Sequence, residues 1–524
     1  MAVYGIDLGT CYSCIARNDG AGSVTPLELL TAGGRAFIPS VVTFDKRTGQ
    51  PKVGRSGKAC LSTQPERTKA FVKREINREF CESEILIVDA KRKISPIEPS
   101  ACILKYLVDQ ANILEQGDGK PAIHQAVITI PAKFDEKQRA RTKLAAEMAG
   151  IEVLGLIQEP TAAAIAYDIP AGCTVLVFDL GGGTLDVSIV TNDKGAYKVI
   201  GTPAGDGNLG GMDWDEKIVE LAFRKIGRRP DRSNQKEWNR FMSMAENIKQ
   251  ALTENEFIID DEVDGGNIIE DEEIKIERHE FESACKPLLD RCWIVVDKAI
   301  ENAKREQPGL KIDFFLTVGG SSRMPMIKKG LAARYGAIYG VGKEESDWLR
   351  INKPDTAIAI GAAKYAQLML SKKSAETNLK TVSDKATHSY GIRILRKTGE
   401  DAIKNLIKAS EPISRGKEIG DLKLQKNTDS MYLEIFETDS SEEYVNYDAK
   451  LHKPINGESI NFGKEYPAGT PVKFTINRDN NGLIQLTFQC EKFRKTFEAN
   501  PSEQLIDAET KEQIENSLRL MDNV

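Results

Sequence analysis

No apolar run in this chain reaches the roughly 18 residues that a membrane-spanning helix requires, so neither a transmembrane segment nor a membrane partner is expected. Nor is there an excess of positive charge: 72 Lys and Arg stand against 78 Asp and Glu, a net charge of −6. Nucleic-acid binding rests on cationic side chains that neutralise phosphates, and nothing here predicts such a partner. The first strand pattern begins at Val3, which leaves no room for a secretory leader. Cysteines are sparse, odd in number (nine) and scattered, which fits a reducing, cytoplasmic compartment rather than a disulfide framework. Cys11 and Cys14 form a C-x-x-C. An odd separation on a strand points two side chains to opposite faces, and two small buried residues are expected.

What is present exceeds one hydrophobic core: 524 residues imply two or more domains. The chain is organised around Val175 to Val190, VLVFDLGGGTLDVSIV. Four apolar residues lead into Asp179, three glycines follow, and after Thr184 the pattern alternates. A continuous apolar run reads as a buried strand and alternation as a half-exposed one. Gly181, Gly182 and Gly183 allow a backbone nest for an anion, and Asp179 at a strand end is placed to organise a cation. Val3 to Ala16 repeats the arrangement, with Asp7, Gly9 and Thr10 in place of Asp179 and the glycine turn. A separation of about 170 residues is too long for a solenoid repeat and predicts two related lobes that offer matched turns to one ligand.

Taken in order, residues 38–44 read as a strand in a hairpin-like region. Lys73 and Arg74 fall in a basic run that reads as a solvated face. A helix is expected over 101–116, a strand over Ala126 to Pro131, and a helix stopped by Gly150. Another strand precedes Glu159-Pro160, where Pro opens a helix. Gly205 to Phe223, with Gly210 and Gly211, is a glycine-rich loop opening a helix. Glu246, Lys249 and Thr253 share one face of a helix over 233–254. The acidic stretch from Asp260 to Glu273 reads as a solvated hairpin. From Phe314 a buried strand meets Gly319-Gly320 and a helix begins at Pro325. That geometry receives a nucleotide phosphate or ribose, although it is neither a P-loop nor a G-x-G-x-x-G fingerprint. Small residues Gly361, Ala362 and Ala363 permit close packing of the helix after Asp355. A polar linker follows over 373–386. Five strand patterns and the turn 480–482 then predict an antiparallel β domain over 387–500. Residues 501–524 read as one charged amphipathic helix starting near Ser502.

These residues resemble the 70-kilodalton heat-shock (DnaK-type) chaperone family. GIDLGT, VITIPAKFDEKQR, EPTAAAIAY, FDLGGGTLDVSI, VGGSSRMP and PDTAIAIGAA occur in the family's order. The resemblance implies an α/β actin-like ATPase of two ribonuclease-H-like lobes, followed by an all-β sandwich that holds extended or unfolded polypeptide. It implies ATP/ADP, Mg²⁺ and K⁺ as ligands. By position, Asp7 and Asp179 would hold the metal, mainly through water. Thr10, Cys11, Gly181, Gly182, Gly183 and Thr184 would form the phosphate loops, with Gly210 and Gly211 beside them. Lys73, Glu159, Thr184 and Asp186 would be catalytic. Glu246, Lys249, Gln250 and Thr253 would grip adenosine from one side, and Gly319, Gly320, Ser322, Arg323 and Asp355 from the other. Pro131 and Arg139 would couple the nucleotide to the lobe surface. Partners implied are a J-domain protein and a nucleotide exchange factor.

The resemblance departs at several points. TNLKTVSDKA stands where the family has a leucine-rich linker, and Gly155 replaces the arginine before EPTAAA. Gln250 replaces the arginine that stacks on adenine, and Cys11 a threonine. One helix stands in place of a helical lid. The expectation is a slowly hydrolysing, weakly coupled, lidless chaperone. The competing reading is an ATP-liganded co-chaperone or regulatory module for a dedicated partner. A sugar or acetate kinase, or an actin-like filament protein, would leave the β domain unexplained.

Overall fold

The computed structural model describes residues 2–20, 23–29, 33–87, 90–263, 266–269, 272–351, 353–373, 388–396, 398–408, 411, 417–479, 483–499 and 505–522. Its N-terminal part carries one sheet design twice. In the first lobe, β1 (Val3–Asp7), β2 (Tyr12–Asn18), β3 (Val24–Pro26), β4 (Gln125–Ile130) and β5 (Glu152–Gln158) lie in the order β5-β4-β1-β2-β3. The second lobe arranges β6 (Thr174–Leu180), β7 (Leu185–Asp193), β8 (Ala196–Asp206), β9 (Phe314–Val318) and β10 (Leu349–Ile351) as β10-β9-β6-β7-β8. In each, the central strand is antiparallel to the next strand in sequence and parallel to a later one. The matched turns of Asp7 and Asp179 therefore leave equivalent strands of two equivalent sheets.

Parallel neighbours need long crossovers, usually helical. The first lobe supplies α1 (Ile97–Gly117) and α2 (Glu136–Met148), and α3 (Glu159–Ala166) follows β5. The second supplies α4 (Gly211–Lys225), α5 (Gln235–Glu254), α6 (Lys286–Glu306), α7 (Pro325–Tyr339) and α8 (Ala357–Lys373). A reciprocal capping box starts α2: Gln138 N–H donates to Asp135 Oδ1 at 2.7 Å, and Asp135 N–H donates to Gln138 Oε1 at 3.0 Å. Gly150, at φ +80°, is the left-handed stop expected after it. Gly361 lies so close to the Ala162 backbone that a Cβ would overlap it, and Gly5 is pressed likewise on Ala362 and Ala363. The small residues of α8 thus let it cross α3 and β1 at backbone distance.

Three expectations need correction. Residues 38–44 are two strands, because Ser40 breaks them: Phe37–Pro39 pairs with β2, whereas Val41–Phe44 joins a separate small sheet. Ser40 donates its N–H to Cys11 O and its hydroxyl to Gly9 O, both at 2.8 Å, so the break serves the first glycine turn. The acidic segment is closed by paired strands Phe257–Ile259 and Lys275–Glu277 but is not solvated at its base. Asp260 is fully buried and accepts the N–H groups of Ile268 and Ile274 at 2.9 Å, and both isoleucines enter the second lobe's core. A carboxylate that organises a loop from inside looks, in sequence, like one facing water.

The β domain is a two-sheet sandwich. Five strands, β11 (Ser389–Leu395), β12 (Asp401–Ile407), β14 (Thr428–Thr438), β15 (Tyr444–Asn446) and β16 (Pro454–Tyr466), lie in the order β15-β12-β11-β14-β16. Four more, β13 (Lys417–Lys423), β17 (Pro471–Arg478), β18 (Ile484–Cys490) and β19 (Phe493–Glu498), lie as β13-β17-β18-β19. Most of the expected linker and the turn 480–482 fall outside the described residues.

The third correction concerns the last helix. α9 runs Ala508–Asp522 rather than from near Ser502, and it is built into the first lobe. Ile514 and Leu518 belong to that lobe's core beside α1. Ser517 Oγ donates to the buried Glu98 at 2.6 Å, Arg92 holds the same carboxylate, and Gln50 Nε2 donates to Leu520 O at 3.1 Å. The β domain meets the same lobe at α2. Glu136 accepts the Ile484 N–H and Ala140 packs with Leu483; past the β domain, Arg141 Nη2 donates to Leu505 O at 3.2 Å and Leu505 joins the same apolar contact.

Candidate active site

The two glycine turns face each other. A Cβ on Gly182 would collide with the side chain of Cys11, so the second turn can approach the first only with glycine there. Gly181 N–H donates to Thr184 O at 3.0 Å and closes the turn. Its carbonyl and that of Gly182 then accept the first N–H groups of α4, from Gly211 at 3.0 Å and Met212 at 2.8 Å. Gly210 is packed onto the Gly183 backbone, and Gly210 N–H donates to Asp213 Oδ2 at 2.8 Å. Gly210 and Gly211 are therefore the structural seat of the Gly181–Thr184 turn.

Charge is concentrated behind these turns. Lys73 and Glu159 form a direct buried ion pair, so Lys73 is no solvated face residue. It lies on a short 3₁₀ turn, Val72–Glu75, while Glu159 opens α3 at the end of β5. Burial pulls the Lys73 ammonium down, but Glu159, Asp7 and Asp179 outweigh it and raise its pKa. Burial lifts the Asp7 carboxyl to about 6, against Lys73 and a 2.9 Å hydrogen bond from Thr129. Asp179 is held well above the ordinary range by burial and then by Glu159, Asp186 and Asp7. Asp186, opposite Asp179 across the β6–β7 pair, rises to about 6, mainly through burial and Glu159. The four carboxylates outnumber the two cations facing them, Lys73 and Lys133, which is the donor chemistry a divalent metal with phosphates would complete. Among the described residues no cluster of three or more metal-ligating side chains closes on a single point.

The expected adenosine side is assembled from α5 and the turn after β9. Lys249 makes a buried ion pair with Asp215 at 2.7 Å and donates to Gly211 O at 2.9 Å. Glu246 accepts from Tyr12 OH at 2.6 Å and pairs with Lys58, which ties the second lobe to the first across the cleft. Thr253 stays on its own helix, bonding to Lys249 O at 3.3 Å, and Gln250 is exposed. Gly319 has φ +80°, and its N–H donates to Pro354 O at 3.0 Å. Arg323 donates to Asp355 at 2.7 Å, Gly320 lies against the same carboxylate, and Ser322 Oγ donates to Gly319 O at 2.7 Å.

Sequence reasoning missed four contributors. Tyr12 and Lys58 reach Glu246 from the other lobe, Asp215 pairs with Lys249, and exposed Arg74 donates to the Gly183 carbonyl. Only Arg74 carried a signal, its place beside Lys73. Pro131 and Arg139 are linked through Phe134: its N–H donates to Pro131 O at 3.2 Å, and its carbonyl accepts Arg139 Nε at 3.1 Å. Arg139 is fully buried on α2, the helix that carries the β domain.

A family model described as Hsp70 protein matches residues 3–521. The chain is 31% identical over 501 residues to the chaperone protein DnaK of Mycoplasmoides gallisepticum, covering 92% of this chain and 77% of that protein. It is 34% identical over 392 residues to the chaperone protein dnaK of Cyanophora paradoxa, covering 70% and 60%. With the chaperone protein dnaK3 of Synechococcus elongatus it shares 35% identity over 398 residues, covering 70% and 50%. The aligned part thus spans from half to about three-quarters of these relatives' length.

Proposed function

The chain belongs to the Hsp70 family, and on that premise we propose that it is a slowly ATP-hydrolysing chaperone whose β domain holds extended or unfolded polypeptide. The division we assign is an ATPase unit over 1–372, a linker over 373–386, a peptide-holding sandwich over 387–500 and a C-terminal helical segment over 501–524. The observation that carries this reading is the buried Lys73–Glu159 pair beside Asp7 and Asp179, behind two facing glycine turns.

The residues suit Mg²⁺ and ATP, because Gly182, having no side chain, lets the second turn close against the first at Cys11, and Asp7, Asp179 and Asp186 present buried carboxylates. Bound there, Mg²⁺ would neutralise phosphate charge; K⁺ is the monovalent cation we assign to the same acidic wall. Phosphoryl transfer asks the protein mainly for positioning and charge neutralisation. Lys73 supplies a fixed buried cation, and Glu159, held by it, is aligned to orient a water molecule with Thr184 and Asp186. Thr10 and Cys11 complete the phosphate wall from the first lobe. Glu246, Lys249, Gln250 and Thr253 face Gly319, Gly320, Ser322, Arg323 and Asp355 across the adenosine position.

Coupling runs through α2. Arg139 bonds toward the Pro131 turn, while Glu136 and Ala140 of the same helix hold the β domain. A cytoplasmic location and transient J-domain and exchange-factor partners complete the proposal. Among the described residues no helix is long and apolar enough to cross a membrane.

The test is fluorescence anisotropy of a labelled unfolded peptide with and without saturating ATP. A near-complete toggle needs about 5.5 kcal/mol of differential binding. A smaller but clear loss of affinity in ATP is expected, and no peptide binding in either state would contradict the proposal.

A further inference from the structure

The β domain has an open groove of about 2410 Å³ where β11, β13, β14 and β16 meet. Its floor is apolar and buried, with Ile392, Leu433, Ile460 and Phe474, and its rim adds Leu395 and Tyr432, 45% and 63% exposed. An apolar floor selects hydrophobic side chains but not charge. The charge comes from the walls: Arg393, Arg396, Lys404, Lys423, Lys426 and Lys464 line the groove, against Asp429 and Glu465.

Where these cations have carboxylate partners, the partners stand outside the lining. Arg393 pairs with Asp401 at 2.6 Å and Glu434 at 3.1 Å, Lys404 lies 3.8 Å from Glu443, and Lys464 lies 3.4 Å from Glu491. These acids hold Arg393, Lys404 and Lys464 in place without lining the groove themselves. Lys423 and Lys426 are exposed and make no ion pair among those found for the described residues. Tyr444 stacks under Arg396 at 4.8 Å and Lys404 at 5.4 Å, which holds both cations at one end of the groove.

We infer that this groove takes extended polypeptide segments in which an apolar centre is flanked by acidic side chains. The inference rests on the reading of the β domain as a peptide holder and names its substrate class. Complementary charge across an interface sets specificity more than raw affinity, so the flanks should decide which apolar segments are held.

The test uses the full chain and three short fluorescein-labelled peptides with one leucine–valine centre and aspartate, serine or lysine flanks. Binding is read by anisotropy in ATP and in ADP. The aspartate peptide should bind about tenfold tighter than the lysine peptide at low salt, and the gap should close near 1 M salt, where screening acts within about 3 Å. The pair of substitutions Lys423→Glu and Lys426→Glu should shift the preference toward the lysine peptide, a gain that misfolding cannot imitate. Equal binding of all three, or a lysine preference in the wild type, would overturn the inference and leave peptide holding intact. Binding of none would overturn both. Displacement of the aspartate peptide by a single-stranded oligonucleotide at lower concentration than by unlabelled peptide would also overturn it.

Discussion

Replacing Ile514 with alanine tests whether the last helix is part of the first lobe. Ile514 is fully buried, and its neighbours in the cluster belong to α1 and the lobe's sheets rather than to the β domain. Truncating a buried isoleucine to alanine costs about 2–5 kcal/mol, the transfer term plus the cavity left behind. The upper part of that range requires that α9 stay docked over the cavity. If α9 instead detaches, the loss is capped at its docking energy, which includes burial of Leu518 and the Ser517–Glu98 hydrogen bond. Both routes lower lobe stability, and a lobe of this size shifts its Tm by about 2–4 °C per kcal/mol. Calorimetry of the full chain should therefore show the first lobe melting roughly 4–20 °C lower, estimated by multiplying those two ranges. Hydrogen exchange should locate the loosening in α1 and α9. An exposed control, Glu512→Ala, should change stability by less than about 0.5 kcal/mol. An Ile514→Ala protein as stable as that control would refute the docking of α9.

Gly182→Ala should abolish nucleotide binding, read by titration calorimetry, because the new methyl would occupy the space of the Cys11 side chain; adding Cys11→Gly should restore part of the affinity. Asp186 has its folded pKa raised from 3.8 to about 6. Its stabilising contribution is complete below pH 3.8 and is lost as pH rises through about 6. In nucleotide-free, chelated protein, Asp186→Asn should thus melt higher than wild type at pH 7.5, by up to about 3 kcal/mol, with the gap closing by pH 4 in a thermal melt.

The site was legible where its chemistry needs unusual residues in a fixed local order. Asp179 with three glycines, its echo at Asp7, and Glu246, Lys249 and Thr253 on one face all lie within single stretches. Lys73 was not legible from composition, since a lysine in a basic run looks solvated; only the matching motif marked it. Tyr12, Lys58 and Asp215 escaped because their partners lie far away in sequence or on another helix face. The same distance hid the docking of α9 and the Glu136–Ile484 contact. In the β domain, β16 is polar along much of PINGESINFGKEY and is a strand because it pairs with β14. Pairing of that kind leaves no periodic mark.

Single-turnover hydrolysis of ATP by wild type and Lys73→Ala, with binding measured alongside, tests the central claim most directly. The wild type should hydrolyse bound ATP slowly. Lys73→Ala should still bind ATP but lose turnover by a factor of about 10² or more, the scale for removing one preorganised charge from a water-excluded site. A wild type that binds ATP without turning it over, or a Lys73→Ala protein as fast as wild type, would contradict the account.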